Sequence, residues 1–154
     1  MVALEMQSAT AAHWSTARYQ EVFESSVSSR VQGDRREASQ TIGETPALRL
    51  ALVIEEKSTV LGFLVARVLN EEWELENIVI ADQVQRHGLA TRLLGELGKL
   101  AGKRGVNSIF LEVRESNRAA RSLYKNCGFT EMGHRKRYYR DPDEDAILYR
   151  LDLA

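Results

Sequence analysis

Apolar positions fall into two rhythms along this 154-residue chain, and the order of those rhythms lays out its elements. From Ala47 the pattern is that of strands. ALRLALVIE over 47–55 and VLGFLVARVL over 60–69 flank a polar turn, and WELENIVI over 73–80 follows Glu71-Glu72. Short polar links between strands predict antiparallel hairpins. At residue 89 the period changes: Leu89, Leu93, Leu94, Leu97, Leu100 and Ala101 recur at helical spacing as one apolar stripe, which Gly105 is placed to end. Strand alternation returns in VNSIFLEVR, 106–114. A strand–helix–strand crossover implies a parallel neighbour, so the sheet is expected to be mixed. A short helix is predicted over 117–126, started by Ser116 or Asn117 and ended at Gly128. Segments 129–137 and 146–153 read as a closing hairpin around Asp141-Pro142-Asp143. Ahead of all this, Ser15 is a candidate cap for a helix turning Tyr19, Val22 and Phe23 inward, and the polar stretch 25–46 reads as a long loop. The expected fold class is α/β: a single domain over residues 1–154, with a mixed, mostly antiparallel central sheet flanked by helices.

Composition narrows the classes. A formal net charge of −1 gives no bulk attraction to nucleic acid or to an anionic membrane, so neither is an expected partner. No apolar run approaches a membrane span, and the first fourteen residues lack a basic start before an apolar core, so no signal peptide is expected. One cysteine, Cys127, makes a reducing cytoplasm the expected setting, and three scattered histidines show no metal-ligand spacing. No metal is expected.

Candidate chemistry gathers at two junctions. The first lies between the strand ending at Ile80 and the helix starting near Leu89, in QRHGLA, 85–90. A glycine-containing strand-to-helix turn leaves backbone N–H groups unpaired at the positive end of the helix dipole, which suits phosphate. Gly88 lets the main chain approach a ligand and small Ala90 keeps the approach open. The same turn is also a plain helix start. It is neither a dinucleotide fingerprint nor a Walker A loop. The second junction is the end of 106–114. Alternation there sends Ile109, Leu111 and Val113 to one face and Phe110, Glu112 and Arg114 to the other. Glu112 is thus a carboxylate among apolar residues near a strand's C-terminal end, where ligand crevices of open sheets lie. It is either a general base or one half of an arginine pair. Tyr124 is either a proton donor or an aromatic packing on the core beside Leu123. Asn117 is either a helix cap or an amide that bonds a ligand. Cys127 reads as a small buried hydrophobe, and 134–137, HRKR, as a solvated strand face or a phosphate-binding patch.

Strand, then QRHGLA, then amphipathic helix resembles the acetyl-CoA pyrophosphate loop of the GNAT N-acetyltransferases. LEVRESNRAARSLYKNCGF, 111–129, and RKRYYRDPDEDAILYRLDL, 135–153, resemble the second signature region and the ending of the RimI-like ribosomal-protein alanine N-acetyltransferases within that superfamily. The resemblance covers roughly residues 74–153. It implies an acetyl-CoA-dependent enzyme acting on a protein N-terminus, with the N-terminal alanine of the eighteenth small-subunit ribosomal protein as the family's acceptor. It implies that Ile78, Val79 and Ile80 offer main-chain bonds to the pantetheine arm. By the same resemblance Arg86, His87, Gly88, Leu89, Ala90 and Thr91 cradle the pyrophosphate, Asn117 binds the cofactor, Glu112 is the base and Tyr124 the acid. Glu76 is a rival base, expected with Glu74 on the face of Ile78 and Ile80. The competing functions are a GNAT acetylating a small-molecule amine and a non-catalytic acetyl-CoA-binding module. Two departures stand out. The chain enters inside the family's first helix, so the sheet is expected to lack its first edge strand, leaving an edge that a second copy could cover; monomer and homodimer both fit. The 30–46 segment is also longer and more polar than the family pattern.

Overall fold

The structure, a computed structural model, describes residues 48–153. The Ser15 helix, the polar loop and the missing first strand are expectations that lie outside these residues. Strands β1 (Arg49–Glu56), β2 (Thr59–Val68) and β3 (Glu72–Ile80) follow in succession; a 3-10 turn at Asp82–Val84 leads to helix α1 (Leu89–Lys103). Strand β4 (Ser108–Arg114), helix α2 (Arg118–Asn126) and strands β5 (Thr130–Tyr139) and β6 (Glu144–Asp152) complete the order. Among the described residues six strands form one sheet in the order β1-β2-β3-β4-β6-β5. All pairs are antiparallel except β3–β4, the pair joined through α1. Among the described residues no helix is long and apolar enough to cross a membrane.

Local chemistry accounts for the boundaries. Lys57 and Ser58 both take positive φ in the β1–β2 turn, the twist that a two-residue hairpin needs. Asn117 Oδ1 accepts from Ala120 N at 3.1 Å and caps α2. Gly105 and Gly128, both at positive φ, follow the ends of α1 and α2. The apolar stripe of α1 buries Leu93, Leu94, Leu97 and Ala101, with Leu89 and Leu100 packed at its margin. It shares one core cluster with Leu64, Leu75, Ile109, Leu111 and Ile147 of the sheet. Ile109, Leu111 and Val113 are buried and Phe110, Glu112 and Arg114 are not, as alternation predicts.

Two features of β3 open the centre of the sheet. Val65 pairs with Asn77 and Ala66 with Leu75, so Glu76 is an extra residue, a β-bulge. Across it the alternation inverts. Glu74 shares a face with its partner Arg67, whereas Ile78 and Ile80 share the face of Leu64 and Gly62. The expectation that Glu74 lies on the face of Ile78 and Ile80 is therefore corrected; strict period-two counting fails because one residue was added to the strand. The polar pair Glu76-Asn77 was its only mark in the sequence. Beside the bulge, the β3–β4 ladder runs only from Glu72↔Ser108 to Leu75↔Leu111. A bulge bends its strand and increases the local twist, and beyond Leu75 the two strands part.

Candidate active site

The parted strands enclose a cavity of about 520 Å³. Glu76, Ile78 and Ile80 line it from β3, Glu112 and Arg114 from β4, Asn117 and Tyr124 from the α2 side. Arg86, Gly88, Leu89, Ala90 and Thr91 line its end at the start of α1, and Tyr139 reaches in from β5.

The main chain supplies donors at two places. Ala81 N bonds Leu61 O of β2 at 2.9 Å, so alternation turns the N–H and C=O groups of Ile78 and Ile80 toward the opening. Val79 is the exception among the three predicted contacts. Its main chain faces β2 and its buried side chain lies on the opposite face beside its partner Phe63, so it does not line the cavity. The second place is the start of α1. The first helical bond is Arg92 N to Gly88 O at 3.0 Å, which leaves the N–H groups of Leu89, Ala90 and Thr91 without partners inside the helix. Gly88 holds φ 77°, a conformation L side chains rarely adopt, and a Cβ built there would meet nothing within 4 Å. The space ahead of the helix is open. Gln85 fixes the loop, donating from Nε2 to Asp82 Oδ1 at 2.7 Å and to Ile80 O at 3.2 Å. His87 is turned back, its Nδ1 2.8 Å from Gln85 O, and does not line the cavity.

The two carboxylates differ in their partners. Glu76 is held in a nearly buried ion pair with Arg49, 2.8 Å from Nε to Oε2 with a second contact at 3.4 Å. Glu112 is 2.8 Å from Arg135 Nη1, a side chain more than half exposed, and it also bonds the Tyr138 hydroxyl. That bond, with burial, raises the Tyr138 phenol. Tyr139 packs edge-on to Tyr138 with centroids 5.2 Å apart; burial and the nearby Glu112 push its phenol up to about 12. Tyr124 is buried against Phe129 and Tyr149 at 5.7 and 6.1 Å, and burial raises its phenol further still. Packing on the core and lining the cavity are thus both true of Tyr124.

Asn117 is the observed cap of α2, and it lines the cavity from that position. Cys127 is half-buried, its thiol raised by burial and bonded to Thr91. His134, Arg135, Lys136 and Arg137 are all exposed, as a solvated strand face requires; His134 engages Glu131 at 3.0 Å, and Arg135 reaches Glu112 from outside the cavity wall. The acidic pair of the closing motif is structural. Glu144 pairs with Arg114 at 3.2 Å and accepts from Ser116 N, and Asp145 accepts from Arg137 N at 2.8 Å. Arg135, Tyr138 and Tyr139 were not assigned from sequence to the surroundings of Glu112. Their only signal was the run of cations followed by paired aromatics, RKRYY.

Comparisons with known proteins agree with this architecture. The model of the acetyltransferase (GNAT) family matches residues 9–129. Over 95 residues the chain is 41% identical to the ribosomal protein bS18-alanine N-acetyltransferase of Escherichia coli, covering 60% of this chain. The aligned region spans 64% of that relative's length. The crystal structure of the ribosomal-protein-alanine N-acetyltransferase from Escherichia coli superposes with a TM-score of 0.76 at 30% identity, covering 99% of this chain and 85% of that one. A GNAT family acetyltransferase from Elizabethkingia anophelis with acetyl-CoA bound shares the fold, with a TM-score of 0.62 at 20% identity over 66% of this chain and 74% of that one.

Proposed function

The chain belongs to the acetyltransferase (GNAT) family, and we propose that it transfers the acetyl group of acetyl-CoA to the N-terminal α-amine of a protein, with the N-terminal alanine of a ribosomal protein as acceptor. The observation that carries this reading is the parting of β3 and β4. It gathers into one cavity a carboxylate, a buried phenol and the free amides of a helix start. The acceptor's identity rests on the relatives' names.

Acetyl-CoA brings an activated thioester, and the residues present fit it. Helix-start amides at Leu89, Ala90 and Thr91, in front of open space at Gly88, suit a pyrophosphate. The outward main chain of Ile78 and Ile80 suits an amide-bearing arm laid along β3 as an added strand, and Asn117, on the cavity wall, would offer its side-chain amide to that arm. Glu112 takes the proton of the α-ammonium, whose reference pKa of about 7.7–8.0 makes this a small task. Main-chain N–H groups of the opened β3 edge would supply donors to the carbonyl oxygen as it gains charge. Tyr124, like any phenol, carries its proton through the neutral range, and burial holds that proton more tightly, so it would pass to the sulfur only as the C–S bond breaks.

The test is a panel of acceptors supplied with acetyl-CoA: peptides beginning with Ala, Ser or Met, and spermidine, each product located by mass spectrometry. Acetylation of the Ala peptide at its α-nitrogen, well ahead of the others, is expected. Preferential acetylation of spermidine would replace the peptide reading with a small-amine one. Tight acetyl-CoA binding without transfer to any acceptor would leave a binding module.

A further inference from the structure

Arg135 does not neighbour Glu112 in the sheet. Strand β6 lies between β4 and β5, and Arg135, Ala146 and Arg114 stand in one row across the three strands. Glu112 is two residues from Arg114 on β4 and shares its face. Ala146 is fully buried and small, so the guanidinium crosses above it and reaches the carboxylate at 2.8 Å. The crossing is supported by Tyr138, over whose ring the guanidinium carbon lies 5.5 Å from the centroid.

Among the described residues three carboxylates of the two central strands, β3 and β4, are each paired with an arginine: Glu74 with Arg67, Glu76 with Arg49, Glu112 with Arg135. The three arginines are not equally held. Arg49 is 11% exposed and Arg67 37%, against 55% for Arg135, whose aromatic support is itself 47% exposed. Arg135 is thus the most readily detached of the three. It also occupies hydrogen-bonding space on Glu112, and an ammonium that gives its proton to Glu112 must come within the same reach.

We infer that Arg135 is a specificity-determining residue: a tethered cation that holds the place of the acceptor's ammonium on Glu112 and yields it by exchange. The inference rests on the acetyltransferase reading above. Exchange of one cation for another keeps Glu112 compensated as it is closed off from water, which avoids leaving a bare carboxylate in the site. It favours acceptors that arrive charged. After transfer the product is a neutral amide with no claim on the carboxylate, and Arg135 returns as the product leaves.

The experiment compares wild type, Arg135→Gln and Arg135→Lys in two ways. Steady-state rates with acetyl-CoA and an Ala-initiated peptide give acceptor KM and kcat. Calorimetric titration with CoA present gives the affinity for that peptide and for its N-acetylated form. Losing the competing cation is expected to lower acceptor KM and Kd about two- to fivefold in Arg135→Gln, the scale of an exposed ion pair. The change is confined to the free-amine peptide, kcat stays within about twofold, and Arg135→Lys remains close to wild type. A raised KM, or an unchanged KM with a fallen kcat, would overturn the exchange and make Arg135 a holder of the acceptor or of Glu112. Should none of the three proteins turn over, the acetyltransferase reading falls, and the titration still decides: free-amine peptide binding no tighter to Arg135→Gln overturns the inference.

Discussion

Glu76 and Glu112 are the same residue type lining the same cavity, and their partners assign them different work. Glu76 is locked to Arg49, both side chains nearly buried, so it reads as a structural charge whose loss weakens a nearly buried ion pair. Glu76→Gln is expected to cost about 3 kcal/mol of stability, read by urea denaturation. Glu112 touches groups that can move away, Arg135 and Tyr138. Tyr124→Phe keeps the ring contacts with Phe129 and Tyr149 and removes only the hydroxyl. We expect kcat to fall by about 10²-fold or more with acetyl-CoA KM nearly unchanged; a kcat within threefold of wild type would take the acid's role from Tyr124. The face of Glu112 was legible because a seven-residue strand alternates without interruption. Its partners were not, because Arg135 reaches it across an intervening strand and pair contacts of that kind leave no periodic trace.

At the scale of elements, α1 and α2 each have one residue that sets where the helix starts. Gly88 must hold positive φ, so Gly88→Ala strains the turn that presents the α1 amides, at a cost of about 1 kcal/mol or more. Acetyl-CoA KM should rise several-fold with acceptor KM unmoved; an unchanged acetyl-CoA KM would separate the turn from the cofactor. Asn117→Ala removes the α2 cap, worth about 1 kcal/mol, and should lower Tm by about 2–4 °C in a chain of this size. Both helix starts, every described strand and the parallel pair were legible from periodicity and from turn and cap residues. The bulge at Glu76 was not. One inserted residue leaves hydrophobic content unchanged while turning Ile78 and Ile80 to the other face, and it coincides with the opening that makes the site.

For the whole molecule, the sheet serves as two antiparallel halves hinged at a short parallel ladder, β1-β2-β3 on one side and β4-β6-β5 on the other. Two tyrosines that line the cleft, Tyr124 buried and Tyr139 half-buried, tie stability to alkaline pH. The Tyr139 phenol is pushed up to about 12 and Tyr124 is raised further, so the folded state holds these protons more tightly than the unfolded chain, whose phenols titrate near 10. Their contribution is complete below about pH 10 and is lost as pH rises through 12. Melting temperatures between pH 9 and 11.5 should fall, and Tyr139→Phe should blunt the fall; equal slopes in the two proteins would show that Tyr139 takes no part. The central claim is that the opening between the halves is a reaction cleft with Glu112 as its base. It is tested most directly by kcat for acetyl transfer to an Ala-initiated peptide in wild type, Glu112→Gln and Glu76→Gln, each checked for folding by circular dichroism. The account predicts that Glu112→Gln loses about 10²–10⁴-fold in kcat while remaining folded. It predicts that Glu76→Gln, where folded, retains most of its turnover at the expense of stability. Glu112→Gln turning over at the wild-type rate while folded Glu76→Gln is inactive would contradict the account and move the base to β3.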